Sequence, residues 1–227
     1  MRDASAPEPD DLGPVPAAVR AQLLATEHWS LLASRSTTQA EVLTRISLFL
    51  TLTSAGLVSL ALAGQAMDFG GIFPLLAMIV LAIVLTIGIL TQIRVYDVGL
   101  EDLAYVLAMN RIRAAYVEID PGIQPFLMTS AHDDRAGSQL TYQMLARRTG
   151  AGHFAGSSMM LISVVNAALA ELFLAGVAAS LSAPALVPLI VGVVGGASYL
   201  VAVLVRSGRR FERVWTFYEP RHATPPD

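Results

Sequence analysis

Residues 69–93 read FGGIFPLLAMIVLAIVLTIGILTQI and contain no Asp, Glu, Lys, Arg or His. A helix rises ~1.5 Å per residue, so about 20 apolar residues cross the ~30 Å hydrocarbon core of a bilayer. The stretch is long enough to do so and too apolar to be one face of a soluble domain. Ile46–Met67 and Leu172–Val205 have the same character. An all-α, polytopic fold is therefore expected, with transmembrane helices at Arg45–Ala66, Ile72–Gln92, Ser157–Ser180 and Pro184–Val205. Pro74 is acceptable in a first turn, where its missing N–H has no partner to lose. Continuous helix is the expected spanning form, because lipid offers nothing to bond a free backbone N–H or C=O. The short links Met67–Gly71 and Leu181–Ala183 tie the spans into two hairpins.

The whole chain agrees. Of 227 residues, 54% are hydrophobic and 15% charged, against about 25% charged in an ordinary globular domain. There is no Cys. This composition excludes a secreted enzyme, a nucleic-acid-binding module, a disordered chain and a disulfide scaffold. The net charge of −3 is too small to imply a strongly acidic or basic partner. No secretory leader precedes the first apolar run, so span one is expected to act as its own insertion signal.

All fifteen basic residues are Arg. They fall before span one (Arg2 to Arg45), between spans two and three (Arg94 to Arg148), and after span four (Arg206 to Arg221). Neither hairpin tip carries one. The positive-inside rule then puts both termini and the central segment in the cytoplasm. The Arg-only, Ala-rich usage suggests a bacterial chain, hence a multi-pass protein of the bacterial plasma membrane. The expected divisions are a disordered acidic leader (1–15), a juxtamembrane helix (16–44), hairpin one (45–93), a cytoplasmic amphipathic helix and loop (94–156), hairpin two (157–205) and a basic tail (206–227).

Thr38-Gln39-Ala40-Glu41 has capping-box spacing, which predicts a bend around Ser34–Thr38; one unbroken helix is the alternative. Tyr105, Met109, Ile112, Tyr116 and Ile119 repeat at four-three spacing, with an acidic stripe opposite, so Arg94–Ile119 reads as an amphipathic helix packed against protein. Asp120-Pro121-Gly122 should end it. His132-Asp133-Asp134-Arg135 is expected in a solvated loop or at a helix start. Metal binding there would need three or four convergent ligands, and His28, His153 and His222 stand at no ligand spacing. No metal and no cofactor is expected.

Residues 29–36 (WSLLASRS) resemble residues 142–149 (YQMLARRT), which suggests a duplication with a twofold axis along the membrane normal. Shared interfacial composition is the other explanation.

Glu171 is the main polar anomaly, about fourteen residues into span three and close to mid-bilayer. A charge there costs about 2.5–3.5 kcal/mol on insertion scales, and no span or outer loop holds a basic residue. Its expected partners are Thr51, Thr53, Ser54, Ser59, Thr86 and Tyr199. Glu171, with Asn166 as a second candidate, is either an ion or proton site or a neutral cross-link between helices. Gly192 and Gly196 form a Gly-x-x-x-Gly for close helix packing, within the chain or between subunits.

The strings Glu27–Ser36 (EHWSLLASRS), Asn110–Tyr116 (NRIRAAY) and His132-Asp133-Asp134 resemble a group of uncharacterised, mainly actinobacterial membrane proteins. That resemblance implies a four-span fold and no particular activity. In layout alone, each half is similar to the SLATT membrane effectors of bacterial conflict systems, which implies pore formation by analogy.

The chain contains no nucleophile elbow, zinc-protease motif, P-loop or dinucleotide fingerprint, so no enzyme and no catalytic residue is expected. Two functions remain. One is an oligomeric pore or channel-like effector gated through the cytoplasmic helices. The other is a non-conducting, membrane-anchored scaffold. Expected partners are the lipid bilayer, further copies of the chain, and a cytoplasmic protein or small molecule; no nucleic acid is expected.

Overall fold

The computed structural model describes residues 15–144, 157–181, 184 and 186–225. Every regular element among them is helical: α1 (Ala17–Ala66), α2 (Phe73–Ile119), a 3-10 turn (Pro121–Phe126), α3 (Arg135–Gln143), α4 (Ser158–Ser180) and α5 (Leu186–Phe217). Four of them, α1, α2, α4 and α5, are long and apolar enough to cross a membrane. In their most apolar windows only 11–28% of residues are buried inside the chain. Leu62, Leu75, Ile83, Leu90 and Val194 lie exposed. Apolar surface of that extent is stable in lipid and unstable in water.

The bend expected at 34–38 is absent, and α1 is the unbroken alternative. Between Ala17 and Ala55 the sequence contains neither Gly nor Pro, so nothing interrupts the i→i−4 ladder. Glu41, freed from a capping role, accepts instead from Arg45 (2.9 Å) and Arg94 (3.1 Å). Span two and the helix after it are likewise one element, as are span four and its tail, even though Gly99 and Gly208 stand just beyond those spans.

α1 ends in a local structure that the sequence predicts only as a link. Phe69 N–H bonds Gly64 C=O (2.8 Å) and Asp68 N–H bonds Gln65 C=O (3.4 Å), the bond pair of a Schellman cap. Asp68 takes the left-handed conformation (φ 48°) that Gly usually fills, and the Phe69 ring folds back over Gly64 and meets Phe73 edge-on at 5.4 Å. A non-Gly residue in this region is strained by about 1–2 kcal/mol. Asp68→Gly should therefore raise stability by about 1 kcal/mol, read as a higher midpoint of thermal unfolding in detergent. Asp120 ends α2, its carboxylate accepting Gly122 N–H at 2.9 Å, and Ser157 caps α4 through Met160 N–H.

The chain forms two compact units, residues 1–35, 103–145 and 220–227, and residues 36–102 and 146–219. In the second, α1 and α2 run antiparallel: Phe49 meets Gly88, Gly56 meets Val80 and Val84, and Gly64 meets Phe73. Its core is built from Val42, Ile46, Phe49, Leu81, Val84 and Ile162, with other aliphatic residues around them. In the first unit, burial on α2 centres on Leu103, Val106, Leu107, Met109, Asn110 and Ile112. The expected stripe is displaced: Met109 and Ile112 are buried, whereas Tyr105 and Tyr116 are half-buried. Of the apparent repeat, residues 145–149 lie outside the described residues, as do His153 and the leader through Pro14.

Candidate functional site

Span two carries Gln92 near its end, where the sequence reads as a helix leaving the membrane. The side chain is buried (5% exposed) and joins three helices. Its Oε1 accepts from Asn166 Nδ2 on α4 (2.8 Å) and from the Tyr199 hydroxyl on α5 (2.5 Å), and its Nε2 donates to Ser163 Oγ (2.9 Å). The Ser163 hydroxyl in turn donates to Met159 C=O (2.7 Å). Ser163 and Asn166 are fully buried. In an apolar medium each such bond fixes helix rotation, because the alternative is an unsatisfied group.

Asn166 fits only because position 88 is Gly. A Cβ there would stand 2.0 Å from Asn166 Oδ1 and 2.8 Å from the Phe49 ring. Asn166 Oδ1 itself is buried without a hydrogen bond, pressed against the Gly88 backbone. Of this cluster the sequence singled out Asn166 and Tyr199 separately. Gln92 and Ser163 went unnoticed, because an uncharged polar residue near a span end resembles ordinary interfacial composition.

Glu171 lies outside that cluster. It is half-buried on α4, and none of the six hydroxyl residues expected beside it bonds its carboxylate. Thr51, Thr53 and Thr86 donate to carbonyls one turn back on their own helices, and Tyr199 donates to Gln92. The reason is intrinsic to helices: a Thr hydroxyl reaches its own i−4 carbonyl more readily than a neighbouring helix. Ser54 and Ser59 line an open groove of about 650 Å³ along α1, with Thr51, Ala55 and Val58. Among the described residues Glu171 has no hydrogen-bond or ion-pair partner.

The Glu171 backbone does have a defined role. A Cβ on Gly192 would lie 2.8 Å from Glu171 C=O, and one on Gly196 would lie 2.8 Å from Ala167 C=O and 3.0 Å from Glu171 Cβ. The Gly-x-x-x-Gly of α5 thus packs on the Ala167–Glu171–Ala175 ridge of α4, inside one chain. Gly196→Ala should lower stability by about 1–3 kcal/mol through overpacking against a main-chain carbonyl. Unfolding in mild detergent reads this, and a tolerated alanine would contradict the contact.

At the ends of the spans in the same unit, Arg94 bridges Glu41 (3.1 Å) and Glu101 (2.7 Å), and Gln39 donates to Asp102 (2.7 Å). The Arg94 bond is the main cause holding the Glu41 carboxyl below its ordinary value. Arg210 stands over the Tyr96 ring at 5.2 Å and 3.9 Å from Asp97.

In the other unit His132–Arg135 takes the second of its two expected places, the start of a helix, with Asp134 as the N-cap of α3, and it is not a solvated loop. Asp133 is fully buried and pairs with the Arg111 guanidinium. It also accepts the main-chain N–H groups of Arg221 (3.1 Å) and His222 (2.7 Å). Asp134 caps α3 through Gly137 N–H (2.7 Å) and accepts from Thr224 N–H (2.8 Å) and hydroxyl (2.9 Å). Burial raises the Asp134 pKa, but bonds from Gly137 and Thr224 more than offset it and leave the group below its ordinary value. Two adjacent carboxylates thus strap residues 221–224 down. The signal was present as an Asp pair, but its partners are main-chain groups 88 to 90 residues away, which no local pattern reveals. Among the described residues no three His, Cys, Asp or Glu side chains gather to hold a metal.

No protein-family model, characterised protein or solved structure matches the chain.

Proposed function

We propose that the chain is an integral membrane protein of two transmembrane hairpins that assembles into an oligomeric, pore-like effector gated from the cytoplasmic side. Its termini and residues 94–156 are cytoplasmic in this reading, supported by the confinement of every Arg to those segments. The carrying observation is Glu171. A carboxylate deep in an apolar helix, half-exposed and without a partner among the described residues, must be met by water, an ion or another copy. An assembly that turns this side of α4 toward a shared axis would form a ring of carboxylates, the feature that selects cations in many pores. The layout resemblance to SLATT effectors supports the same reading.

Purified chain reconstituted in liposomes is expected to conduct monovalent cations, and Glu171→Gln to lower the flux about tenfold or more while folding normally. Glu171→Gln vesicles as conductive as wild type would refute the role of Glu171. Wild-type vesicles that stay sealed would favour the second reading, a non-conducting anchored scaffold. That reading has its own support, since the buried Gln92 side chain bonds Ser163, Asn166 and Tyr199 and so ties three helices together.

A further inference from the structure

We propose that the unit formed by residues 15–35, 103–144 and 220–225 contains an anion site, centred on the Arg113 guanidinium and flanked by His28, that takes a phosphate group. The inference does not depend on whether the assembly conducts. Arg113 is half-buried and donates to Asn110 Oδ1 at 2.6 Å. Asn110 is fully buried and is fixed in turn by donating to His132 C=O (2.8 Å) and accepting from the Thr141 hydroxyl (3.1 Å). The guanidinium is therefore pinned by a neutral, immobile group.

Among the described residues the counter-charge is missing: no carboxylate lies within 4.0 Å of Arg113. The acids of this unit that form bonds among the described residues are committed elsewhere: Glu118 to Arg20 and His222, Asp120 to Gly122, Asp133 to Arg111, and Asp134 to α3 and Thr224. Meanwhile cations gather. Burial pushes the Arg113 guanidinium below its ordinary value, and the charge of Arg35 adds to the shift. Burial likewise lowers His28, and the charge of Arg113 lowers it further. The His28 ring lies nearly parallel to Tyr116, with centroids 6.4 Å apart, which holds it in place. Arg206, Arg209 and Arg213, by contrast, are exposed, and solvation already satisfies them.

A half-desolvated guanidinium gains more from an anion than an exposed one does, because the surrounding dielectric is lower. Its planar fork suits oxyanions, and it sheds water more readily than an ammonium. A phosphate group, carrying about 1.5–2 negative charges at neutral pH, would meet Arg113 and at the same time favour protonation of His28. The same chemistry is offered by a soluble phosphate and by a lipid headgroup.

The test uses the full chain in phosphatidylcholine nanodiscs, with ring-labelled histidine followed by NMR at constant ionic strength. Inorganic phosphate should raise the titration midpoint of His28 saturably. Arg113→Gln should weaken this response about tenfold or more, whereas the exposed Arg209→Gln should leave it unchanged. In discs containing phosphatidylglycerol and no phosphate, an Arg113-dependent rise would identify a lipid headgroup as the source; a response to inorganic phosphate alone would identify a soluble one. The proposal fails if neither condition moves His28, or if Arg113→Gln responds as wild type does. It fails also if His28 is already raised in phosphate-free neutral discs until Glu8, Asp10 and Asp11 are neutralised, since the site would then belong to the chain's own leader. Should Arg113→Gln not fold, Arg113→Lys decides: charge without the fork weakens the response several-fold, and an unchanged response overturns the proposal.

Discussion

Asp133→Asn is expected to release the carboxyl-terminal strap and to destabilise its unit by about 3 kcal/mol. The carboxylate is fully buried and serves the Arg111 guanidinium and the N–H groups of Arg221 and His222. An amide at the same place offers one acceptor oxygen and aims an NH2 donor at another donor. Breaking a buried pair costs about 3–5 kcal/mol. The low end applies because the Arg111 side chain is 42% exposed and water can recover its charge. Hydrogen exchange is the direct readout: amide protection at Arg221 and His222 should fall about a hundredfold, with little change in α4. Unaltered protection would show that the strap is held by something else. Asp134→Asn should act in the same direction but more weakly, by about 1 kcal/mol, as for a lost helix cap. Because the folded pKa of Asp134 is depressed, its contribution is present above the ordinary aspartate pKa of about 3.9. It is lost as pH falls through the lower, folded value.

Gly88→Leu should be the most damaging single change in the unit formed by residues 36–102 and 146–219. Its Cβ alone would meet Asn166 Oδ1 at 2.0 Å and the Phe49 ring at 2.8 Å, and Phe49 is 1% exposed with nowhere to move. Overpacking contributes about 1–3 kcal/mol, and displacing Asn166 from Gln92 adds about 0.6–1.7 kcal/mol. A loss of about 3 kcal/mol is expected, read by reversible unfolding in detergent or bilayer discs. Gly88→Ala should recover part of its own loss when combined with Asn166→Ala, because the second change removes the atom that the first one strikes. Strictly additive losses would mean that the two residues do not meet.

How legible all this was in the sequence depends on the range over which each signal acts. The four apolar helices follow from windows of about 20 residues, and the Pro and Ser at their starts are local marks. The start of α4 at Ser157 and the turn at Asp120 were likewise local and fell where the residues indicated. The Thr38 capping pattern misled, because an N-cap acts only where a helix must begin, and nothing upstream obliged α1 to stop.

The side-chain partnerships behave differently. Glu171 drew attention because a lone carboxylate in a span is costly, yet the helices are joined by Gln92, which looked ordinary. Likewise Asp133 read as part of a solvated loop or a helix start, and its carboxylate is fully buried and bound to the tail. Composition and spacing by themselves determined that this chain is helical, that four of its segments suit a bilayer, and where each Arg stands along it. Tertiary structure alone decided that Gly88 makes room for Asn166, that Gly192 and Gly196 close on α4 of the same chain, and that Asp133 holds the tail. The physical reason is that helix formation and lipid solvation are summed over neighbours along the chain. A buried hydrogen bond is settled instead by which two residues, 74 or 89 positions apart, arrive within 3 Å of each other.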